Sequence, residues 1–255
     1  KYDVMVVDYA RSLDADTEQE VPLTREQVAA MQKKPDGSKR VVIAYLSIGE
    51  AARHRPYWTT DWDTAPPDFL GPVNPDWPGA HGVRYWREGW QRLLLEPERG
   101  MLPAILAQGF DGVFLDSVDA FQRWQGERPG AADDMVRLIE RIGASARRIA
   151  PAALLIGQNA EPLLARADYR AAIDGVSKES LLTGLRGPGI ANSAADIAWS
   201  RAGLEAAKDA GLPILAIEYL SEPQAIAQAR GQLAAFGYVP FFASRLLDVL
   251  PGTSR

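Results

Sequence analysis

VVIAYLSIGE, residues 41–50, decides the reading of the fold. Its first six positions are apolar without alternation, so the segment is a strand covered on both faces, as parallel strands are. It ends on Ser47 and Glu50, where apolar character gives way to polar. The same grammar recurs in runs beginning at Asp3 (DVMVVDYA), Gly82 (GVRYW), Asp111 (DGVFLDS), Leu154 (LLIGQNA), Ile173 (IDGVSKES), Pro213 (PILAIEYL) and Gly237 (GYVPFFAS). Helix-compatible sequence follows each of the first seven runs, for example over 90–107, 135–149, 162–169, 194–210 and 223–235. Apolar residues there return every three or four positions, as at Met135, Leu138, Ile139 and Ile142. Thr24 ahead of Glu26 and Gln27, and Ser221 with Glu222 ahead of Pro223, are helix start signals. Gly109 and Gly211 are stop signals just before the next strand.

Eight such runs in 255 residues give about 32 residues per strand–helix unit. Eight parallel units read most simply as a closed (β/α)8 TIM-type barrel. A doubly wound open sheet is the runner-up, but no G-x-G-x-x-G follows an early strand. No composition shift or Gly/Ser linker interrupts the chain, so residues 1–255 read as a single domain. Opening at Lys1 inside a strand-like run, the sequence reads as a segment excised from a longer chain. Residues 57–82, rich in Pro and Trp, are expected as an irregular insertion over the barrel mouth, between the second and third strands.

Composition narrows the chemistry. Cysteine is absent, which removes disulfides, thiolate metal sites and thiol nucleophiles. Two histidines, His54 and His81, rule out a multi-histidine metal centre and leave little for a Ser-His-Asp triad. Lys+Arg 28 against Asp+Glu 33 gives a net charge of −5, which argues against a nucleic-acid or anionic-membrane partner. No apolar run is long enough to insert into a membrane. What remains is carboxylate chemistry, with neither metal nor cofactor expected.

In a parallel barrel the carboxyl ends of the strands face the active site. Those ends carry Asp8, Tyr45, Ser47 with Glu50, Asp116, Gln158 with Asn159, Lys178 with Glu179, and Glu218 with Tyr219. The simpler readings are helix capping for Asp116, a first-turn acid for Glu179 and a loop turn for Asn159. Seven tryptophans cluster mostly in the expected mouth loops, suited either to stacking on sugar rings or to a loop mini-core. Acids with aromatics favour a carbohydrate over a phosphorylated metabolite, and YLSEP lacks the glycines of a phosphate cradle.

YLSIGEA with downstream RPYW, then GFDGVFLDS, GQNAE, KESLLTG and IEYL, resemble in this order glycoside hydrolase family 114, the endo-α-1,4-polygalactosaminidase-like enzymes. Within it the motifs look most like the hydrolase domains of exopolysaccharide hydrolase/deacetylases. The resemblance spans nearly the whole chain. It implies a (β/α)8 barrel cutting α-1,4-linked galactosamine and N-acetylgalactosamine polymers internally. Functional acids are implied after the fourth and sixth strands, at Asp116 and Glu179. It also implies a periplasmic or secreted setting beside other exopolysaccharide-secretion proteins. Asp8, Tyr45, Ser47, Glu50, Gln158, Asn159, Glu218 and Tyr219 are expected to bind substrate; the acids Asp8, Glu50 and Glu218 either raise the acid–base carboxyl by their charge or pair with the ammonium of unacetylated galactosamine. Lys178 departs from the family pattern. Two rival readings remain, a non-catalytic polysaccharide-binding barrel and a Schiff-base lyase built on Lys178.

Overall fold

The computed structural model describes residues 2–12 and 20–247, so both ends of the expected 1–255 domain lie outside the described residues. Seven parallel strands form one sheet in which each pairs with its predecessor in the chain. They are β1 (Val4–Asp8), β2 (Val41–Ser47), β3 (Gly112–Asp116), β4 (Leu154–Gln158), β5 (Gly175–Glu179), β6 (Ile214–Glu218) and β7 (Val239–Phe242). A doubly wound sheet reverses its strand order part-way, and this one does not. The winding is that of a TIM-barrel-like α/β fold, with seven strands in the sheet where eight were expected. Among the described residues no ladder joins β1 to β7.

The missing eighth strand is the run at Gly82. Residues Ala80–Val83 pair antiparallel with Glu50–Ala52 and Leu70–Val73 in a separate small sheet. No gap is left for the run in the parallel sheet, because β2 pairs directly with β3, Ser47 opposite Asp116. A short, largely apolar run settles whether a segment is a strand, not which neighbour it finds.

By packing, the chain divides into two compact units, Lys1–Leu155 and Ile156–Arg255. In the first, Val42, Ile43, Ala44 and Leu46 of β2 are at most 1% exposed, which fits a strand covered on both faces. Helix α1 (Arg25–Gln32) starts on a capping box in which Thr24 and Gln27 satisfy each other's backbone N–H. The 90–107 stretch forms two helices, α2 (Glu88–Leu95) and α3 (Met101–Ala107). Pro97 cannot continue a helix, and the chain folds so tightly here that a Cβ on Gly100 would meet Glu96 at 2.6 Å. Helix α4 (Ala131–Ile149) buries Met135, Leu138, Ile139 and Ile142 completely.

The second unit holds most of β4 and all of β5, β6 and β7. Helix α5 (Ala194–Asp209) opens on a Ser193–Asp196 capping box, and α6 (Pro223–Phe236) ends on Gly237 in the left-handed conformation. A hairpin, Thr183–Gly184 with Gly187–Ala191, follows β5. Among the described residues no helix is long and apolar enough to cross a membrane.

Candidate active site

Parallel strands in register present their last residues side by side, so polar strand ends become clusters. In the first unit Asp8 lies opposite Tyr45, and Ser47 opposite Asp116. The Tyr45 hydroxyl donates to Asp116 Oδ2. Burial, and next the adjacent Asp116 charge, push the Tyr45 phenol well above the usual tyrosine range, so it stays a donor. Ser117 Oγ lies 3.4 Å from Asp116 Oδ2 and 3.1 Å from Ser47 Oγ. Ile48 N–H donates to the Asp116 carbonyl at 3.0 Å. The turn after β2 presses so close that a Cβ on Gly49 would sit 2.3 Å from the Ser117 carbonyl. Ser117 itself is left-handed, φ 58°, a strained state for a non-glycine residue, at the exit of β3.

Asp8 and Glu50 flank this cluster already engaged. Arg55 Nη1 stands 2.5 Å from Asp8 Oδ1 and 3.1 Å from Glu20 Oε2, with its guanidinium 5.2 Å from the Tyr9 ring centre and 5.6 Å from that of Tyr45. Burial disfavours the Arg55 charge, but the hydrogen bond and charge of Asp8 outweigh it and raise its pKa. Burial raises Glu20 against the pull of Arg55. Glu50 Oε1 accepts from Asn74 at 2.8 Å and from Arg123 at 3.0 Å.

The aromatic residues of the 57–82 insertion largely pack on one another. Trp58 meets Trp62 edge-on at 4.9 Å, Trp62 meets Phe69 at 5.4 Å, and Phe69 meets the buried Trp90 at 5.5 Å. Arg53 covers the Trp58 face at 5.2 Å. This is the mini-core reading of those side chains.

In the second unit Glu179, at the end of β5, accepts from two side chains. Asn159 Nδ2 donates to Oε1 at 3.0 Å and the Tyr219 hydroxyl to Oε2 at 2.5 Å. Strand alternation turns Lys178 the other way. It is 8% exposed, with its ammonium 2.9 Å from Glu161 Oε1, which also accepts from Ser200 at 2.7 Å. Burial opposes the Glu161 charge, but Lys178 and Ser200 outweigh it and hold that carboxyl below the ordinary range. An amine held in a buried ion pair is not the free nucleophile that an imine requires.

Glu218 is fully buried, unlike a residue on an open rim. Its oxygens accept from Leu182 N–H at 2.7 Å, Thr183 N–H at 3.2 Å and Thr183 Oγ1 at 2.9 Å. Burial raises it above the usual glutamate range despite these donors. Gln158 is also buried, opposite Ser177. Among the described residues no three His, Asp or Glu side chains gather as a metal site.

Within each unit, then, one strand-end carboxylate stands beside a tyrosine hydroxyl, Asp116 with Tyr45 and Glu179 with Tyr219. Sequence reasoning missed Arg55, Arg123, Glu161 and Ser200, which act as counter-charges or donors. Arg55 and Glu161 stand inside or beside quoted motifs, but neither occupies a strand end.

Known proteins bear on this arrangement. An uncharacterized protein of Deinococcus radiodurans is 36% identical over 214 residues, covering 83% of this chain and 66% of its own length. One from Methanocaldococcus jannaschii is 32% identical over 167 residues, 64% of this chain and 45% of its own. The chain thus spans less than two thirds of the length of either relative. Among solved structures, the glycoside hydrolase domain of PelA from Pseudomonas aeruginosa superposes with a TM-score of 0.71 at 24% identity, covering 97% of this chain and 96% of that one. The α-L-fucosidase isoenzyme 2 from Paenibacillus thiaminolyticus gives 0.52 at 14% identity, over 80% of this chain and 33% of that one. At these identities the likenesses are of fold. The family description that matches covers residues 2–249, and the chain belongs to glycoside-hydrolase family GH114.

Proposed function

We propose that this chain is an endo-acting glycoside hydrolase that cleaves α-1,4-linked galactosamine and N-acetylgalactosamine exopolysaccharide with retention, in the periplasm or outside the cell. The observation that carries the reading is the pair of strand-end carboxylates, each beside a tyrosine hydroxyl, in a chain of a glycoside-hydrolase family. Asp116 attacks the anomeric carbon while Glu179 gives its proton to the departing glycosidic oxygen. The bond to the leaving sugar breaks as the aspartyl ester forms. Glu179, now ionised, takes a proton from water, whose oxygen displaces Asp116 and regenerates both carboxyls. The Tyr45 hydroxyl, kept protonated by burial, orients Asp116 for attack and stabilises it as a leaving group.

The ammonium reading of the other acids meets competition. Asp8 is paired with Arg55, Glu50 is held by Arg123, and Glu218 is enclosed.

The test is reducing-end release from a partly deacetylated α-1,4-galactosaminogalactan. Wild type is expected to produce internal fragments, and Asp116→Asn and Glu179→Gln to lose at least about a hundredfold in kcat while folded. Proton NMR of the first product reports the anomer, and an initially inverted product would overturn retention. Binding with no new reducing ends would make the chain a polysaccharide-binding module.

A further inference from the structure

We infer that Lys178 is a positioning residue, whose ammonium, anchored on Glu161, holds the Asn159 amide with its NH2 group turned toward Glu179. The inference rests on the acid/base reading of Glu179.

The two ends of the Asn159 amide, one a donor and one an acceptor, face different partners. The Asn159 amide oxygen lies 3.5 Å from Lys178 Nζ and 3.3 Å from the Glu179 backbone N. Its nitrogen lies 3.0 Å from Glu179 Oε1. A flipped amide would set its NH2 against an ammonium and an N–H, and its oxygen against a carboxylate. Three favourable contacts would become three repulsive ones. Two of them are local to Glu179, and Lys178 supplies the third.

The rest of the cluster keeps Lys178 where this contact needs it. Glu161 is 7% exposed and is gripped by Ser200. Its backbone is pressed by α5 so closely that a Cβ on Gly203 would meet the Glu161 carbonyl at 2.7 Å. The chain enters this position through two consecutive left-handed residues, Asn159 at φ 55° and Ala160 at φ 60°. That unusual turn lets Asn159 reach Glu179 and Glu161 reach Lys178 from adjacent positions. Compared with apolar residues of similar volume, a buried ion pair brings little net stability.

The test pairs Lys178→Met with Glu161→Gln, so that no buried charge is left unpartnered. Side-chain amide exchange of Asn159 is followed by 15N NMR, with the signal assigned by its absence in Asn159→Asp. Exchange is expected to be slow in the wild type and at least about tenfold faster in the paired variant. Unchanged exchange overturns the inference. On partly deacetylated α-1,4-linked polygalactosamine, kcat is expected to fall about 10–100-fold, as for partners that orient the ligands of metal sites. KM should stay within about twofold. In an Asn159→Ala background the pair should cost nothing more, whereas additive losses overturn the inference. If the paired variant does not fold, Lys178→Met alone removes the ammonium while Glu161, still bonded to Ser200, can take up a proton, and faster amide exchange is expected there too. A Glu179→Gln enzyme with wild-type kcat overturns the acid/base reading instead, and amide exchange then decides whether Lys178 sets the Asn159 orientation.

Discussion

Tyr45 was legible only as one of several polar strand ends, yet its hydroxyl donates to Asp116. A hydrogen bond to a charged group is worth about 1.5–3 kcal/mol. Tyr45→Phe is therefore expected to cost roughly ten- to a hundredfold in kcat with KM little changed, read from steady-state kinetics on the polymer. A drop confined to KM would assign Tyr45 to substrate binding. Residues at strand ends could be named from the sequence because a parallel strand announces where it stops. Their partners could not. Asp8 and Arg55 are 47 positions apart, and Lys178 and Glu161 meet across a left-handed turn that neither Asn159 nor Ala160 advertises. Charge pairing in a fold is a relation between elements, and one sequence shows only one member at a time.

Elements were easier to find than their neighbours. Seven of the eight strand runs entered the parallel sheet, and the helix periodicity over 135–149 matches the buried face of α4. The run at Gly82 joined an antiparallel sheet because a short apolar segment carries no label for direction. Asp116 and Glu179 consequently close the third and fifth parallel strands, where the reading by count had the fourth and sixth. Glu218 shows another limit. The sequence placed it at a strand end as a rim candidate, whereas the structure encloses it and brings the Leu182 and Thr183 donors to its oxygens. Its titration gives a stability prediction. A carboxyl raised by burial binds its proton more tightly in the folded chain than in the unfolded one. Its stabilising contribution is complete below the unfolded value near 4.5 and is lost as pH rises through the folded value. Glu218→Gln is expected to flatten the fall of melting temperature above that point, measured by thermal melts from about pH 4.5 to 7. Asp134, lowered by Arg128 and Arg137 against the effect of burial, acts in the opposite sense and below its ordinary value of 3.8, so the two windows separate.

At the scale of the whole molecule, net charge is the property read most directly from sequence. On the proposed substrate, a partly deacetylated and so cationic polymer, a chain at −5 gains encounter rate at low ionic strength. KM on that polymer is expected to rise a few-fold between about 20 and 500 mM salt, as the Debye length shrinks, and to stay flat on the fully acetylated polymer. Equal salt dependence on both would place recognition in neutral contacts. Strand winding was legible for a related reason, since continuous apolar runs and the helices between them report an all-parallel sheet without any contact being known. That sheet also has a kinetic consequence. No two of its neighbouring strands are joined by a hairpin, and even the closest pair in sequence, β4 and β5, are separated by residues 159–174. Every ladder must therefore close a long loop before it is rewarded, so refolding from denaturant belongs in the slow, millisecond-to-second range. Until the later strands arrive, each new strand offers an open, apolar edge to any other chain in the tube, and yield on refolding should fall as protein concentration rises.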